Sequence, residues 1–310
     1  MASAGTRPES ISSLRERLLE HGLLIATGVR GLFGRGAQFE ATVDRVDRFV
    51  MAMGLGDEPE VMRFPPMLPR ANLARSGYLA SFPHLAGCIH SFDGRPENHD
   101  AMLRQLDAGE DWASALSPTD VALTPAACYP VYPAASGTLP AGGRLVDVMS
   151  YCFRREPSDD PARMQAFRMH EHVRLGEPDT VRAFRDLWLE RGQAMLATLG
   201  LNAAVAPAND PFFGRRGRML AATQREQSLK FELVYQLTDG ASPTALASCN
   251  YHGDHLARAF GVHTHTGDIA HTACVGFGLE RIALALFGTH GLDAASWPCA
   301  VQSALDASPT

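Results

Sequence analysis

Between Tyr151 and Val173 the sequence sets Arg154, Glu156, Arg163, Arg168 and Glu171 on two stretches with a period of two. The run ending in Tyr151 and Phe153 alternates as a half-buried strand does. Alternation resumes at Ala166, with Phe167, Met169 and Glu171 on one side and Arg168, His170 and His172 on the other. Ser158 to Pro161 reads as a turn. The pattern predicts a β-hairpin carrying charge on a sheet face, where an unpaired buried charge is costly. Spacing alone leaves two readings open: a solvated charged hairpin, or guanidiniums and carboxylates arranged around a ligand.

Other reactive groups lie elsewhere. Lys230 is the single Lys among 28 Lys and Arg residues. A compact ammonium suits a phosphate in a way that a planar guanidinium does not, and chance survival is the alternative reading. Six cysteines (88, 128, 152, 249, 274 and 299) are scattered without a Cys-x-x-Cys pair. That usage fits a reducing compartment, the cytoplasm, with free thiols or metal ligands rather than a disulfide framework. His252, His255, His263, His265 and His271 form a rival metal set, although His-Gly-Asp-His at a helix start also reads as capping.

The predicted elements place these groups. A helix opens the chain, with Ile11, Leu14, Leu18 and Leu19 on one face, and a Gly-rich loop follows at 28–36. A second amphipathic helix spans 38–53 through Phe39, Val43, Val46 and Val50. One short helix is predicted at 72–79. Another runs over 97–108 with Met102, Leu103 and Leu106 inward. Residues 123–130 are irregular and hold Cys128. The strongest helix is 180–199, capped by Asp179 or Thr180, buried along Val181, Phe184, Trp188, Met195 and Leu199, and closed by Gly200. Strands at 229–237 and 244–250, a short helix from 252–255 to Phe260, a strand at 270–275, a Gly-Phe-Gly turn and a helix over 279–287 complete the reading. The domain boundary falls near residue 60.

Composition narrows the classes. A length of 310 residues, 45% hydrophobic and 20% charged, is that of an ordinary globular protein. A net charge of −6 argues against a dedicated nucleic-acid binder. No apolar run is long enough to span a membrane, and the polar start lacks a signal-peptide core.

Cys-Phe-Arg-Arg-Glu, followed by Phe-Arg-Met-His-Glu, resembles the second signature of class II aminoacyl-tRNA synthetases. Gly-Phe-Gly-Leu-Glu-Arg, 276–281, resembles their third. Lys-Phe-Glu-Leu and Ala-Ser-Cys-Asn stand between them in the order found in seryl-tRNA synthetases. Together these segments are similar to the zinc-dependent, seryl-synthetase-like group called amino acid:[carrier protein] ligases, over roughly residues 60–295.

The resemblance implies an α+β fold, an antiparallel sheet flanked by helices holding bent ATP, with 1–60 as an N-terminal helical segment and 61–310 as the catalytic domain. It puts Arg154 on the α-phosphate, Glu156 on adenine, and Arg281 on the γ-phosphate and adenine ring. Arg163 falls in the loop over ATP, Lys230 among the ATP contacts, and Ala245, Leu246, Ala247 and Ser248 on the strand lining the nucleotide. Asn250, with Ser248 and Glu171, falls on the amino-acid side. Cys128, Glu171 and Cys274 are implied as zinc ligands, leaving a fourth position for the substrate amine, with magnesium on the phosphates. Without the resemblance each cysteine reads as a buried thiol.

Departures are informative. The 60 residues ahead of the resemblance hold no sustained heptads, and no basic stripe for tRNA is visible. Cys128 stands where most bacterial relatives place a glutamate. The implied reaction is activation of a small amino acid, glycine first and alanine second, and transfer to the phosphopantetheine thiol of a small acidic carrier protein, without tRNA. Phe212 to Arg218 and the helix after it, with Arg215, Arg216 and Arg218, form the candidate docking surface; a solvated loop is the alternative. A truncated seryl-tRNA synthetase and a non-catalytic paralogue are the competing classes. The family also implies a homodimer paired around residues 60–95.

Overall fold

The computed structural model describes residues 11–208, 210, 213, 229–238 and 242–306. Arg215, Arg216, Arg218 and the helix expected after them lie outside these residues. Helix α1 (Ile11–Glu20) leads into a small hairpin, β1 (Leu24–Ala26) with β2 (Phe33–Arg35), and then α2 (Ala37–Gly54). Strand β3 (Glu60–Arg63) precedes β4 (Met67–Pro69), α3 (Arg70–Arg75), α4 (Tyr78–Ser81), β5 (Cys88–Ser91), α5 (Pro96–Asp107) and β6 (Ser117–Leu123). Short α6 (Val131–Ala134) and β7 (Gly137–Thr138) lead to the long hairpin β8 (Arg144–Phe153) and β9 (Ala166–Gly176). Then come α7 (Pro178–Thr198), β10 (Ala204–Pro207), β11 (Lys230–Tyr235) and β12 (Thr244–Gly253). Helix α8 (His255–Phe260), β13 (Val262–His263), β14 (His271–Gly278), α9 (Leu279–His290) and α10 (Cys299–Asp306) follow.

Seven strands form the central sheet in the order β10-β11-β12-β14-β9-β8-β3. All neighbours are antiparallel except β3, which runs parallel to β8 at one edge. The expected α+β architecture is therefore present, with a mixed rather than purely antiparallel sheet. The long hairpin is in register from Arg144↔Leu175 to Phe153↔Ala166.

Helices α1, α2, α7 and α9 cover one face. Their apolar stripes meet in a core that includes Leu14, Leu18, Val46, Trp188, Phe277 and Phe287. Each such side chain contributes about 1.5–3 kcal/mol by leaving water. Leu14 to Val50 contribute to this core together with the rest of the chain. The predicted stripes of α2 and α7 are buried, and Gly200 ends α7 at φ 74°. Its N-cap is Glu177 rather than Asp179 or Thr180. Pro178 sits in the first turn, where its missing N–H costs nothing, and moves the start upstream. On the opposite face α6 and α8 pack Val131, Tyr132 and Leu256 onto Val146 and Val173.

Three predicted details are corrected. The 72–79 helix is two helices, broken at Gly77 with φ 79°. Leu103 and Leu106 of α5 do not point inward; they are 42% and 47% exposed. The helix belongs to the β5–β6 connection and packs chiefly on the 3₁₀ turn Trp112–Ala115, which leaves these two leucines uncovered among the described residues. Gly276-Phe277-Gly278 is not a turn but the end of β14, paired with β9 as far as Gly278↔Met169.

Candidate active site

The β9 alternation is realised in space. Phe167, Met169 and Glu171 line a cleft of about 450 Å³ on the α6–α8 face of the sheet. Arg168, His170 and His172 are buried towards the other face. Every residue implied for ATP, amino acid or metal lines this one cleft: Arg154, Glu156, Arg163, Lys230, Ala245, Leu246, Ala247, Ser248, Asn250, Arg281, Cys128, Glu171 and Cys274.

In this cleft Cys128, Glu171 and Cys274 converge, their ligand atoms all within 4.8 Å of one another. Cys128 comes from the turn after β6, and its N–H donates to Glu171 Oε1 at 3.1 Å. Cys274 stands on β14 opposite Asn250 of β12, whose Nδ2 donates to its Sγ at 3.5 Å. Glu171 lies opposite Gly276, where a Cβ would stand 3.2 Å from Glu171 Cγ. Glycine there lets the carboxylate reach across the strand. The Cys128 thiol is pushed well above its ordinary pKa by its hydrogen bond with Cys274, by burial and by Glu171. At Cys274 the Cys128 bond pulls the other way, yet burial beside Glu171 leaves that thiol raised too. Two buried thiols and a carboxylate fit zinc: the cation would make thiolates of the thiols and supply the compensating charge.

The cationic groups line the same cleft. Arg154 Nε donates to Pro125 O at 3.0 Å and Nη2 to the weakly accepting Met169 Sδ at 3.9 Å, so no carboxylate is hydrogen-bonded to this guanidinium among the described residues. Arg281 donates to Ala162 O at 2.9 Å and Ala245 O at 3.0 Å. Burial, with Arg154 nearby, holds its guanidinium below the ordinary value. Arg163 pairs with Glu156 at 3.4 Å. Lys230 Nζ lies 2.6 Å from Asp210 and 3.1 Å from Glu232. Burial pushes the ammonium down, but the two carboxylates override it and hold the charge. Glu232 was legible as the i+2 neighbour of Lys230 on one strand face; Asp210, from a loop, carried no signal.

The rival histidines do not assemble. His252 Nε2 lies 3.7 Å from Cys274 Sγ, and burial holds its ring near pKa 4, so it is neutral. His255 donates to Ser76 O at 3.1 Å, His265 faces Glu177 and His271 meets the Tyr251 hydroxyl. His263 stands in the β13–β7 pair.

A second buried cluster went unread in the sequence. His170 bridges Asp47 at 2.7 Å and Asp147 at 2.8 Å, and Arg63 reaches Asp147 at 2.9 Å. His172 is stacked on Trp188 at 4.3 Å. Asp147, His170 and His172 are close enough to hold a metal. However, both nitrogens of His170 are already spent on carboxylates, whose charges an imidazolium and a guanidinium balance. This is a structural network.

No protein-family model matches the chain. It is 48% identical over 285 residues to amino acid–[acyl-carrier-protein] ligase 2 of Bradyrhizobium diazoefficiens, across 91% of this chain and 85% of the relative. Ligase 1 of that organism is 45% identical over 289 residues, across 93% and 88%. The type-2 serine–tRNA ligase of Methanopyrus kandleri is 27% identical over 274 residues, which span 81% of this chain but 51% of the relative. Among solved structures, the M. kandleri seryl-tRNA synthetase in complex with A. aeolicus tRNASec superposes with a TM-score of 0.81 at 22% identity, covering 98% of this chain and 62% of that one. The cytoplasmic serine–tRNA ligase of Naegleria fowleri, in complex with AMP, gives 0.73 at 13% identity, covering 100% and 62%. At such identities these structures establish the fold, a class II synthetase catalytic domain.

Proposed function

The chain belongs to the amino acid–[acyl-carrier-protein] ligase family, and we propose that it activates a small amino acid with ATP and passes the acyl group to a carrier-protein thiol. The observation that carries this reading is one cleft lined both by a thiol–carboxylate trio and by Arg154, Arg281 and Lys230. The substrate carboxylate attacks the α-phosphorus of ATP; the bond to the β-phosphate oxygen breaks, and aminoacyl-adenylate and pyrophosphate result. Arg154, anchored through Nε, steadies the charge that builds on the α-phosphoryl oxygens. Arg281 and Lys230 neutralise the departing phosphates. Next the phosphopantetheine sulfur attacks the acyl carbon, a thioester forms and AMP leaves.

Cys128, Glu171 and Cys274 would hold zinc, which supplies a Lewis-acid position able to take an uncharged α-amine. Magnesium, which would neutralise phosphate charge, belongs to the same proposal. Tyr132, Met169 and His252 line the cleft alongside the trio, and this crowding is the reason to place glycine first and alanine second. A cytoplasmic homodimer acting without tRNA completes the reading. Seryl transfer to tRNA is the second reading, because the similarity to serine–tRNA ligases spans most of this chain.

Amino-acid-dependent exchange of pyrophosphate into ATP, across glycine, alanine and serine, tests the first half. Transfer from the preferred amino acid to phosphopantetheinylated carrier or to tRNA tests the second. Exchange with no amino acid refutes activation, and stable charging of tRNA in place of carrier refutes the acceptor. For zinc, the wild type is expected to hold one equivalent per chain and Cys274→Ala to lose it; full occupancy in the variant rules out this ligand set.

A further inference from the structure

The 154–165 connection between β8 and β9 carries Glu156 and Arg163 over the cleft. From inside, Arg281 holds Ala162 O. Its own turns contribute local bonds, such as Ala162 N–H to Asp160 Oδ1 at 2.9 Å. At its start Arg155 N–H donates to Leu85 O at 3.1 Å and Arg154 Nε to Pro125 O at 3.0 Å; further support comes from the other end of the sequence. Gln165 N–H donates to Gly31 O at 2.7 Å, and Gln165 Nε2 donates to Arg30 O at 2.7 Å. Arg30 meets Asp159 at 2.9 Å, and Arg35 Nη2 donates to Ala166 O at 2.9 Å. All four contacts come from the β1–β2 hairpin, whose tip is closed by Thr27 Oγ1 donating to Leu32 O at 2.6 Å.

Gly31 is where the two segments come closest. Its φ is +73°, and a Cβ there would stand 3.2 Å from Glu156 O, Ser158 N and Gln165 Cγ. Two of those three atoms are backbone of the connection, and backbone cannot step aside as a side-chain end can. The exposed Arg30–Asp159 pair adds little by itself. The main-chain bonds and the tight glycine set the distance.

We propose that the β1–β2 hairpin positions the nucleotide loop, with Gly31 as the positioning residue that fixes the height of Glu156 and Arg163 over the cleft. The proposal rests on the reading that this cleft binds ATP. The hairpin touches no reacting atom; it acts through the loop. It also gives the segment ahead of the catalytic signatures a task unrelated to tRNA.

The experiment compares Gly31→Ala with Gly28→Ala. Both glycines have positive φ, but at Gly28, with φ +86°, an added Cβ would have nothing within 4 Å, so Gly28→Ala carries the backbone strain without the contact. ATP binding is measured by calorimetry, and KM values for ATP and amino acid by pyrophosphate exchange. Gly31→Ala is expected to raise Kd and KM for ATP about tenfold, since a displaced binding group commonly costs that much or more. Its KM for the amino acid and its zinc content should stay unchanged. Gly28→Ala should lose comparable thermal stability and keep its ATP constants within about twofold. Should Gly31→Ala fail to fold, Gln165→Ala removes the bond to Arg30 O and is expected to raise KM for ATP about threefold. Equal ATP constants in the two glycine variants, or an unchanged constant in Gln165→Ala, overturn the inference while leaving the functional reading intact. A wild type that binds no ATP overturns that reading and this inference with it.

Discussion

Arg168 offers a test in which the double substitution should harm the protein less than one of its singles. Its Nε donates to Glu280 Oε1 at 2.9 Å and its backbone N–H to Glu280 Oε2 at 2.7 Å. Its terminal nitrogens reach Glu40 at 2.8 Å and 2.9 Å. Glu280 is 2% exposed, whereas the Glu40 side chain is 34% exposed and can turn to water. Arg168→Met therefore takes the closest guanidinium from Glu280, which keeps the residue-168 backbone N–H and, at 3.3 Å, Arg35 among the described residues. Removing one partner of a buried pair costs about 3–5 kcal/mol. In Arg168→Met/Glu280→Met that charge is gone. What remains is an unpaired backbone N–H, worth about 1–3 kcal/mol, and a pair of apolar side chains in contact. The double variant is thus expected about 2 kcal/mol less stable than wild type and the Arg168 single about 4 kcal/mol less stable. At about 2 °C per kcal/mol for a chain of this size, the singly substituted protein melts about 8 °C low. Chemical denaturation of the four proteins of the cycle supplies the coupling term. Additive losses in the double variant, or an Arg168→Met protein within about 1 kcal/mol of wild type, would show that Glu280 does not depend on this guanidinium.

Two further outcomes follow from named contacts. Lys230 fits its ammonium between Asp210 and Glu232, so Lys230→Arg should not rescue what Lys230→Ala loses. Both are expected to lower kcat/KM for ATP about tenfold or more in pyrophosphate exchange, and full activity in Lys230→Arg contradicts the role. Burial alone would raise the Asp147 carboxyl, but His170 and Arg63 override it and hold it at about 2 against an ordinary 3.8. A depressed carboxyl stabilises the fold above its unfolded pKa and loses that contribution as pH falls through its folded value. The loss of about 2 kcal/mol should fall between about pH 4 and pH 2. Asp147→Asn should show a shallower acid decline in denaturant midpoint, and parallel declines would refute the assignment.

Much of the fold is legible in the sequence, for physical reasons that differ between elements. The long hairpin and α7 announce themselves because one face of each is buried, and burial forces periodicity. Amphipathicity says that α5 has an apolar face but not what covers it, so the inward assignment of Leu103 and Leu106 failed. Gly276 and Gly278 looked like a turn because glycine usually relaxes backbone; in β14 Gly276 is needed for the close approach of Glu171. The β1–β2 hairpin was missed because three-residue strands carry almost no pattern. Cys128, Glu171 and Cys274 are 43 and 103 residues apart, so no spacing rule could join them, and their implied grouping came from family resemblance alone. The Asp47–His170–Asp147 bridge joins three elements, and only the strand positions of its histidines were visible.

Strand β9 has a consequence for how this enzyme can change. From Phe167 to His172 each side chain either lines the cleft or is buried in the ionic layer behind it, so the strand has no idle position. A single-residue insertion would turn the cleft set into the buried layer and the buried set into the cleft. New amino-acid preferences are therefore expected to arise at cleft positions off β9, such as Asn250, and in the turn that carries Cys128. Diversity in substrate use is expected there, while β9 stays an invariant frame across any library selected for activity.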